Sequence, residues 1–234
     1  MKNDKTMERD PFDMLKALCI EACHERKACA EGYKQMVKSG NISQIMATWR
    51  ANWEDVVDSK YADIIRIQLP KIYPIIKADM NAAGIYLNEC PRSAQDFVLV
   101  IVTDTKNVVN VFGYSNAYIL GECKVSAYDH SQVYNSKHSA QVTLYDYSYG
   151  KIFAGKVVAL GHSNLSCMCE AIVDGTVKCM AYGGTVVARK YRKIDAYIDA
   201  VVYSQSNFNI TLCNDAKIVN LKEYEQQTDY TCQQ

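Results

Sequence analysis

A turn signal that returns about every eight residues restricts what this chain can fold into more than any other feature. Between Gly113 and Thr185 a short run of small or polar residues recurs, usually Asp or Gly, then any residue, then Ser or Thr. It reads Gly113-Tyr114-Ser115, Gly121-Glu122-Cys123, Asp129-His130-Ser131, Lys137-His138-Ser139, Asp146-Tyr147-Ser148, Ala154-Gly155-Lys156, Gly161-His162-Ser163, Asp174-Gly175-Thr176 and Gly183-Gly184-Thr185. The steps are 8, 8, 8, 9, 8, 7, 13 and 9 residues. A period this short, with apolar residues between the turns, is the mark of a chain wound into a β-solenoid.

Paired apolar side chains two residues apart share one face of a strand. Such pairs are Ala117/Ile119, Val125/Ala127, Val142/Leu144, Val158/Leu160, Leu165/Cys167, Val177/Cys179 and Val186/Ala188. Val133 departs from the rule, being followed two positions later by Asn135. Burying two such side chains stabilises a unit by roughly 2 to 4 kcal/mol, less than the cost of ordering eight residues. A single unit therefore cannot fold alone, and stacking is forced. Two units per turn give a flattened coil of about sixteen residues, the favoured reading because the alternating small residues suit two facing sheets; three would give a larger triangular coil.

The first third of the chain reads differently. Asp10-Pro11 is a helix start, with Asp as N-cap and Pro in the first turn. Leu15, Leu18, Cys19, Ala22, Cys29, Tyr33, Met36 and Val37 make one amphipathic stripe that ends at Ser39-Gly40-Asn41. A second helix runs from Ser43 through Trp49 and Trp53 towards Val57, and a third covers Lys60 to Leu69. Pro70 and Pro74 should interrupt the pattern, leaving a short helix from Ile75 to Ala83 before Gly84. The expected class is α+β: a helical domain over 1–92, a short-repeat β-solenoid of the single-stranded β-helix type with end caps over 93–225, and a flexible tail over 226–234. The helical region and the first strands are expected to cap one end, and Ile194 to Leu221 the other.

Charge excludes some functions. Lys plus Arg equals Asp plus Glu, 26 each in 234 residues, which argues against a nucleic-acid partner held by phosphate neutralisation. The N-terminal ten residues mix charges of both signs, unlike a secretory signal, and no run is long enough to span a bilayer. A cytoplasmic protein without a membrane partner is expected, with its ten cysteines as reduced thiols. No phosphate-binding loop, dinucleotide glycine pattern, nucleophile elbow or zincin motif is present, and no cofactor is called for.

A few residues stand out as site candidates. His130, His138 and His162 fall at multiples of eight, so they are placed in one surface column, where imidazoles can bind metal or move protons; a turn position that simply tolerates His is the plainer reading. Cys19, Cys23, His24 and Cys29 cluster without zinc-ligand spacing and read as buried small thiols, as do Cys167 and Cys169. Tyr128, Tyr145 and Tyr182 each follow a core-type residue and precede Asp or Gly, so they should face outward near corners. With His130 and His138 they form the candidate binding set, against the alternative of a packing ladder. Trp49 and Trp53 are expected to pack the helices onto each other or onto the solenoid end, and Arg189-Lys190-Tyr191-Arg192-Lys193 to be a solvated edge.

The stretches Val125-Ser126-Ala127-Tyr128-Asp129-His130-Ser131-Gln132-Val133 and Cys179-Met180-Ala181-Tyr182-Gly183-Gly184-Thr185-Val186 resemble the V-x-A-Y-[DG]-x-[ST]-x-V repeats of uncharacterised bacterial, phage and mobile-element proteins. The resemblance covers a third to a half of the chain, weakens between Ser163 and Asp174, and implies architecture with no catalytic residues to carry across. A non-enzymatic binding or scaffold protein with a protein partner or self-association is the leading expectation. The alternatives are an acyltransferase-like β-helix enzyme using a surface His, whose family repeat is six residues rather than eight, and a carbohydrate-binding phage tail or adhesin module.

Overall fold

The computed structural model describes residues 10–26, 30–53, 61–92 and 97–231. The chain divides into two compact units, 1–86 and 87–234, a few residues before the expected boundary at 92.

In the first unit, α1 (Pro11–Arg26), α2 (Ala30–Lys38), α3 (Ile42–Ala51) and α4 (Tyr61–Ala82) pack on one another. The segment expected as one helix is two, α1 and α2; of its expected stripe Leu15, Cys19 and Met36 are buried, whereas Val37 is exposed. Asn41 caps α3 by accepting from the Gln44 N–H at 2.9 Å. Trp49 and Trp53 are buried with ring centroids 5.8 Å apart, and Trp49 Nε1 donates to Cys19 Sγ at 3.0 Å. Trp49 thus ties α3 to α1, with the Trp53 ring packed against its own. Cys19 is buried as expected, while Cys29 lies outside the described residues.

The expected break at Pro70 and Pro74 does not occur, because α4 runs straight through both. Ile65, Leu69, Ile72, Ile76 and Met80 form its buried stripe, whereas both prolines are exposed. Prolines four apart sit on one face, here the solvent side, where carbonyls deprived of their N–H partners are solvated and burial on the other side holds the helix.

The second unit is the solenoid. After the short strand β1 (Ile85–Leu87), which spans the boundary between the units, strands alternate between two parallel sheets. Sheet A receives β2 (Leu99–Val102), β4 (Asn116–Ile119), β6 (Gln132–Asn135), β8 (Tyr149–Ile152), β10 (Asn164–Cys167), β12 (Lys178–Ala181), β14 (Lys193–Ala196) and β16 (Ile210–Leu212). Sheet B receives β3 (Val108–Val111), β5 (Cys123–Ala127), β7 (Ala140–Leu144), β9 (Lys156–Gly161), β11 (Glu170–Gly175), β13 (Thr185–Lys190), β15 (Val201–Ser204) and β17 (Lys217–Asn220). Two units therefore make one coil. Asn116 pairs with Gln132 sixteen residues on, Gln132 with Tyr149 after seventeen, and Asn164 with Lys178 after fourteen.

Most expected pairs line the core, but Val158 and Leu160 do not; Val157 and Ala159 take their place. The run Val157-Val158-Ala159-Leu160 is apolar throughout, so alternation carries no parity there, and the shortened step after Ala154 moves the register by one. A coil corner also hides in the thirteen-residue gap. Met168-Cys169 turns the chain without Gly, Asp or Ser, and Cys169 Sγ donates to the Ile152 carbonyl at 3.4 Å in place of a hydroxyl.

Core shape is matched across the two sheets. Gly150 stands where a Cβ would come within 2.7 Å of Leu144 Cδ1, so the smallest residue faces one of the largest. Asn135 sits in the core with both ends of its amide used. Its Nδ2 donates to the carbonyls of His138 (2.8 Å) and Ala154 (2.9 Å), and its Oδ1 accepts from the His138 N–H (3.1 Å).

Ile194 to Leu221, expected to cap this end, forms further coil, β14 to β17. The segment beyond Glu223 belongs to a helix, α5 (Leu221–Thr231), that packs on sheet B, with Leu221 buried and the Tyr224 ring 5.0 Å from Tyr203. Among the described residues no helix is long and apolar enough to cross a membrane.

Because the Asn135 amide is buried and satisfied, Asn135→Leu should lower unfolding stability by about 3 kcal/mol, leaving an N–H and two carbonyls unpaired. Asn135→Asp should cost at least as much, since a carboxylate cannot donate. Urea denaturation followed by far-ultraviolet circular dichroism measures both, and an unchanged midpoint for either variant contradicts the role assigned to the amide.

Candidate functional site

The two sheets are joined by two kinds of corner, and the candidate residues divide between them. Where sheet B passes to sheet A, four turns are superposed: Phe112-Gly113-Tyr114-Ser115, Tyr128-Asp129-His130-Ser131, Tyr145-Asp146-Tyr147-Ser148 and Leu160-Gly161-His162-Ser163. The second residue of each has a positive φ, between 52° and 65°. Gly tolerates this at Gly113 and Gly161. At Asp129 and Asp146 the strain is offset by hydrogen bonding, since Asp129 Oδ2 accepts from the Gly113 N–H at 2.9 Å and Asp146 Oδ2 from the Asp129 N–H at 3.3 Å.

The fourth residue of each turn is a buried Ser. Ser115, Ser131 and Ser148 donate their hydroxyls back to the carbonyls of Phe112, Tyr128 and Tyr145 at 2.6 to 2.7 Å. Ser163 is equally buried, yet its Oγ has no partner among the described residues. The Ser of the repeat is thus a folding device.

The third residues form the outermost feature. Tyr114, His130, Tyr147 and His162 stack in an alternating column, with centroid separations of 5.2, 5.4 and 5.1 Å and interplanar angles of 5°, 18° and 10°. All four are exposed, Tyr114 and Tyr147 by more than half. Beside them the first residues make a second, half-buried column, Phe112–Tyr128 at 5.3 Å and Tyr128–Tyr145 at 4.8 Å. Rings held in register on parallel strands repeat near the interstrand spacing of about 4.8 Å, so stacking follows from the coil itself.

Three of the five candidate residues, Tyr128, Tyr145 and His130, therefore meet at this corner. His138 and Tyr182 do not, and the single histidine column does not form. His138 lies on the opposite kind of corner, where sheet A passes to sheet B, because eight residues are half a coil and not a whole one. His130 and His162 do share a column, with Tyr147 between them. Tyr182 stacks on Tyr197 at 5.3 Å on the His138 side. Tyr114 and Tyr147 were not among the candidates; doubling the period to a whole coil would have found them, since both fill the middle of a turn triplet that also holds His.

The first kind of corner continues into the basic run. Arg189, Lys190 and Arg192 are exposed there, as expected of a solvated edge, and Lys193 pairs with Asp195 at 2.9 Å. At the other kind of corner an open groove of about 740 Å³ is lined by residues that include Asp104, Lys106, Glu122, Lys124, Gln141 and Lys156, and none of the five candidates touches it. Cys123 borders it, and burial, helped by Asp104, pushes its thiol up to about 12. Burial likewise pushes Cys169 up to about 12. Among the described residues no three His, Cys, Asp or Glu side chains are grouped to hold a metal ion.

Two outcomes follow. Ser131→Ala should cost about 1 kcal/mol by removing a satisfied hydroxyl, whereas Ser163→Ala should be neutral or slightly stabilising; paired urea titrations compare them, and equal losses contradict the distinction. With thiol pKa values near 12, Cys123 and Cys169 are almost wholly protonated at pH 8 and should resist a disulfide reagent in the native state, reacting after Cys90 and Cys213, which are only half-buried. Mass-spectrometric mapping of labelled sites gives the order.

No family model matches this chain, and neither a curated protein nor a solved structure matches it.

Proposed function

We propose that this chain is a non-enzymatic cytoplasmic binding or scaffold protein that engages a protein partner along the Tyr114–His130–Tyr147–His162 edge. The observation that carries this reading is the exposure of four stacked rings that folding does not need outside the core. Aromatic side chains fixed by their neighbours lose little conformational freedom on association, and aromatic residues are enriched at binding hot spots. The column presents ring edges, phenol hydroxyls and imidazole nitrogens at intervals of about 5 Å.

The same geometry weighs against the carbohydrate reading. A sugar platform offers ring faces, and here the faces are turned to one another. For the enzymatic reading, the carboxylates beside His130 and Tyr147, those of Asp129 and Asp146, accept from main-chain N–H groups. They support the turn and do not orient an imidazole.

The test replaces the exposed column. A Tyr114→Ser, His130→Ser, Tyr147→Ser, His162→Ser variant should keep its far-ultraviolet spectrum and lose at least tenfold in affinity for the partner that co-purifies with the wild-type protein from its native cell. Retention of every co-purifying protein by the folded variant would falsify the assignment.

A further inference from the structure

The two ends of the solenoid differ. In the first coil the inward positions Val100, Val102, Val109 and Val111 are at most 2% exposed. Asn88 bonds alongside β2: its N–H donates to Ile101 O at 2.8 Å, and its side chain exchanges hydrogen bonds with Thr103. At the other end the core is open. Ile210 and Leu212 continue the columns of Ile194 and Ala196, and Ile218 continues that of Val202. Ile194, Ala196 and Val202 are fully buried, but Leu212 is 41% exposed and Ile210 and Ile218 are only half-buried. Phe208, on the same coil, is 73% exposed.

The main chain is open there as well. Cys213 N–H donates to Ala196 O, and Asn209 O accepts from the Ile194 N–H. In a parallel strand alternate residues bond to opposite sides, so Leu212 directs its main-chain groups away from β14, towards the free edge. Helix α5 packs on sheet B, leaving β16 as the outermost strand of sheet A. Apart from being only three residues long, this edge is unprotected, having no Pro and no charge across Ile210-Thr211-Leu212 and a regular pairing to β14.

We infer that the last coil is a self-association surface and that its occupant is the last coil of a second copy. Head-to-tail stacking would generate a filament, whereas tail-to-tail pairing about a two-fold axis closes at two chains, and the strand is self-complementary in that arrangement because Ile210 and Leu212 both face the free edge. An axis normal to the sheets and centred on Thr211 sets β16 antiparallel to its copy, with Ile210 of one chain opposite Leu212 of the other. The two open core sections then cover each other. Charge permits the contact: from Gln205 to Asn220 the only charged residues are Asp215 and Lys217, one of each sign. This inference is independent of the aromatic edge, which lies on coils remote from this end.

Sedimentation equilibrium of the full chain over a range of concentrations tests it. The expected result is a reversible monomer–dimer equilibrium with a limiting mass of twice 26.4 kDa. Leu212→Lys should weaken association at least tenfold, while Lys151→Ala, on the exposed face of β8, should leave it unchanged. Hydrogen exchange on the wild-type protein needs no variant: the amides of Leu212 and Ile218 should slow as concentration rises. A monomer at every concentration overturns the inference. So do open-ended oligomers, a dimer indifferent to Leu212→Lys, or a different protein found seated on this coil.

Discussion

Parallel in-register stacking of the coils governs everything else in the solenoid. Each strand lies about 4.8 Å from the next in its sheet, so each residue meets its equivalent one coil away. Columns, not individual residues, are the units of structure. A position that is small and apolar becomes core, a Ser becomes a buried ladder, and an aromatic becomes a stack of rings. The cost of ordering eight residues is met by sharing hydrogen bonds with both neighbours, which is why no unit is stable alone.

The corners show how a narrow core accommodates polar groups. A tight turn points main-chain carbonyls inward, and Ser115, Ser131 and Ser148 satisfy them with short hydroxyl bonds. Asp129 and Asp146 accept from main-chain N–H groups of the preceding coil while holding a φ that glycine tolerates better. Asn135 works in the same way from the core side, serving both its own turn and the next coil. At Gly155 the close approach is stricter, because a Cβ there would lie 2.2 Å from the Ala140 carbonyl oxygen. These residues answer to the turns, which frees the third residue of each turn to face solvent. In that position Tyr114, His130, Tyr147 and His162 stack while remaining exposed.

Sequence reasoning succeeded where one coil repeats the last and failed where local rules compete. The Val125/Ala127 and Val142/Leu144 pairs were plain because polar residues alternate with them. Val158 misled because apolar residues flank it on both sides and the outer face of sheet B tolerates them. The corner at Met168-Cys169 was invisible because a thiol replaced the hydroxyl. Pro70 and Pro74 were read by their local cost, which burial of Leu69, Ile72 and Ile76 outweighed. For the candidate site, the outward direction of Tyr128, Tyr145 and His130 was legible, but grouping His138 with them was an error of half a coil.

The period of eight and the paired apolar residues pointed, without coordinates, to a stacked solenoid behind a helical segment, since a unit that buries only two small side chains needs neighbours to share its hydrogen bonds. Tertiary structure alone decided how many units close a coil, because the same period serves two or three. That choice assigns alternate turns to opposite corners. It places Tyr114, His130, Tyr147 and His162 in contact, sends His138 and Tyr182 to the far side, and leaves Leu212 at an open end. Which residues become neighbours is set by the length of the coil, a property of the packed sheets and not of any single repeat.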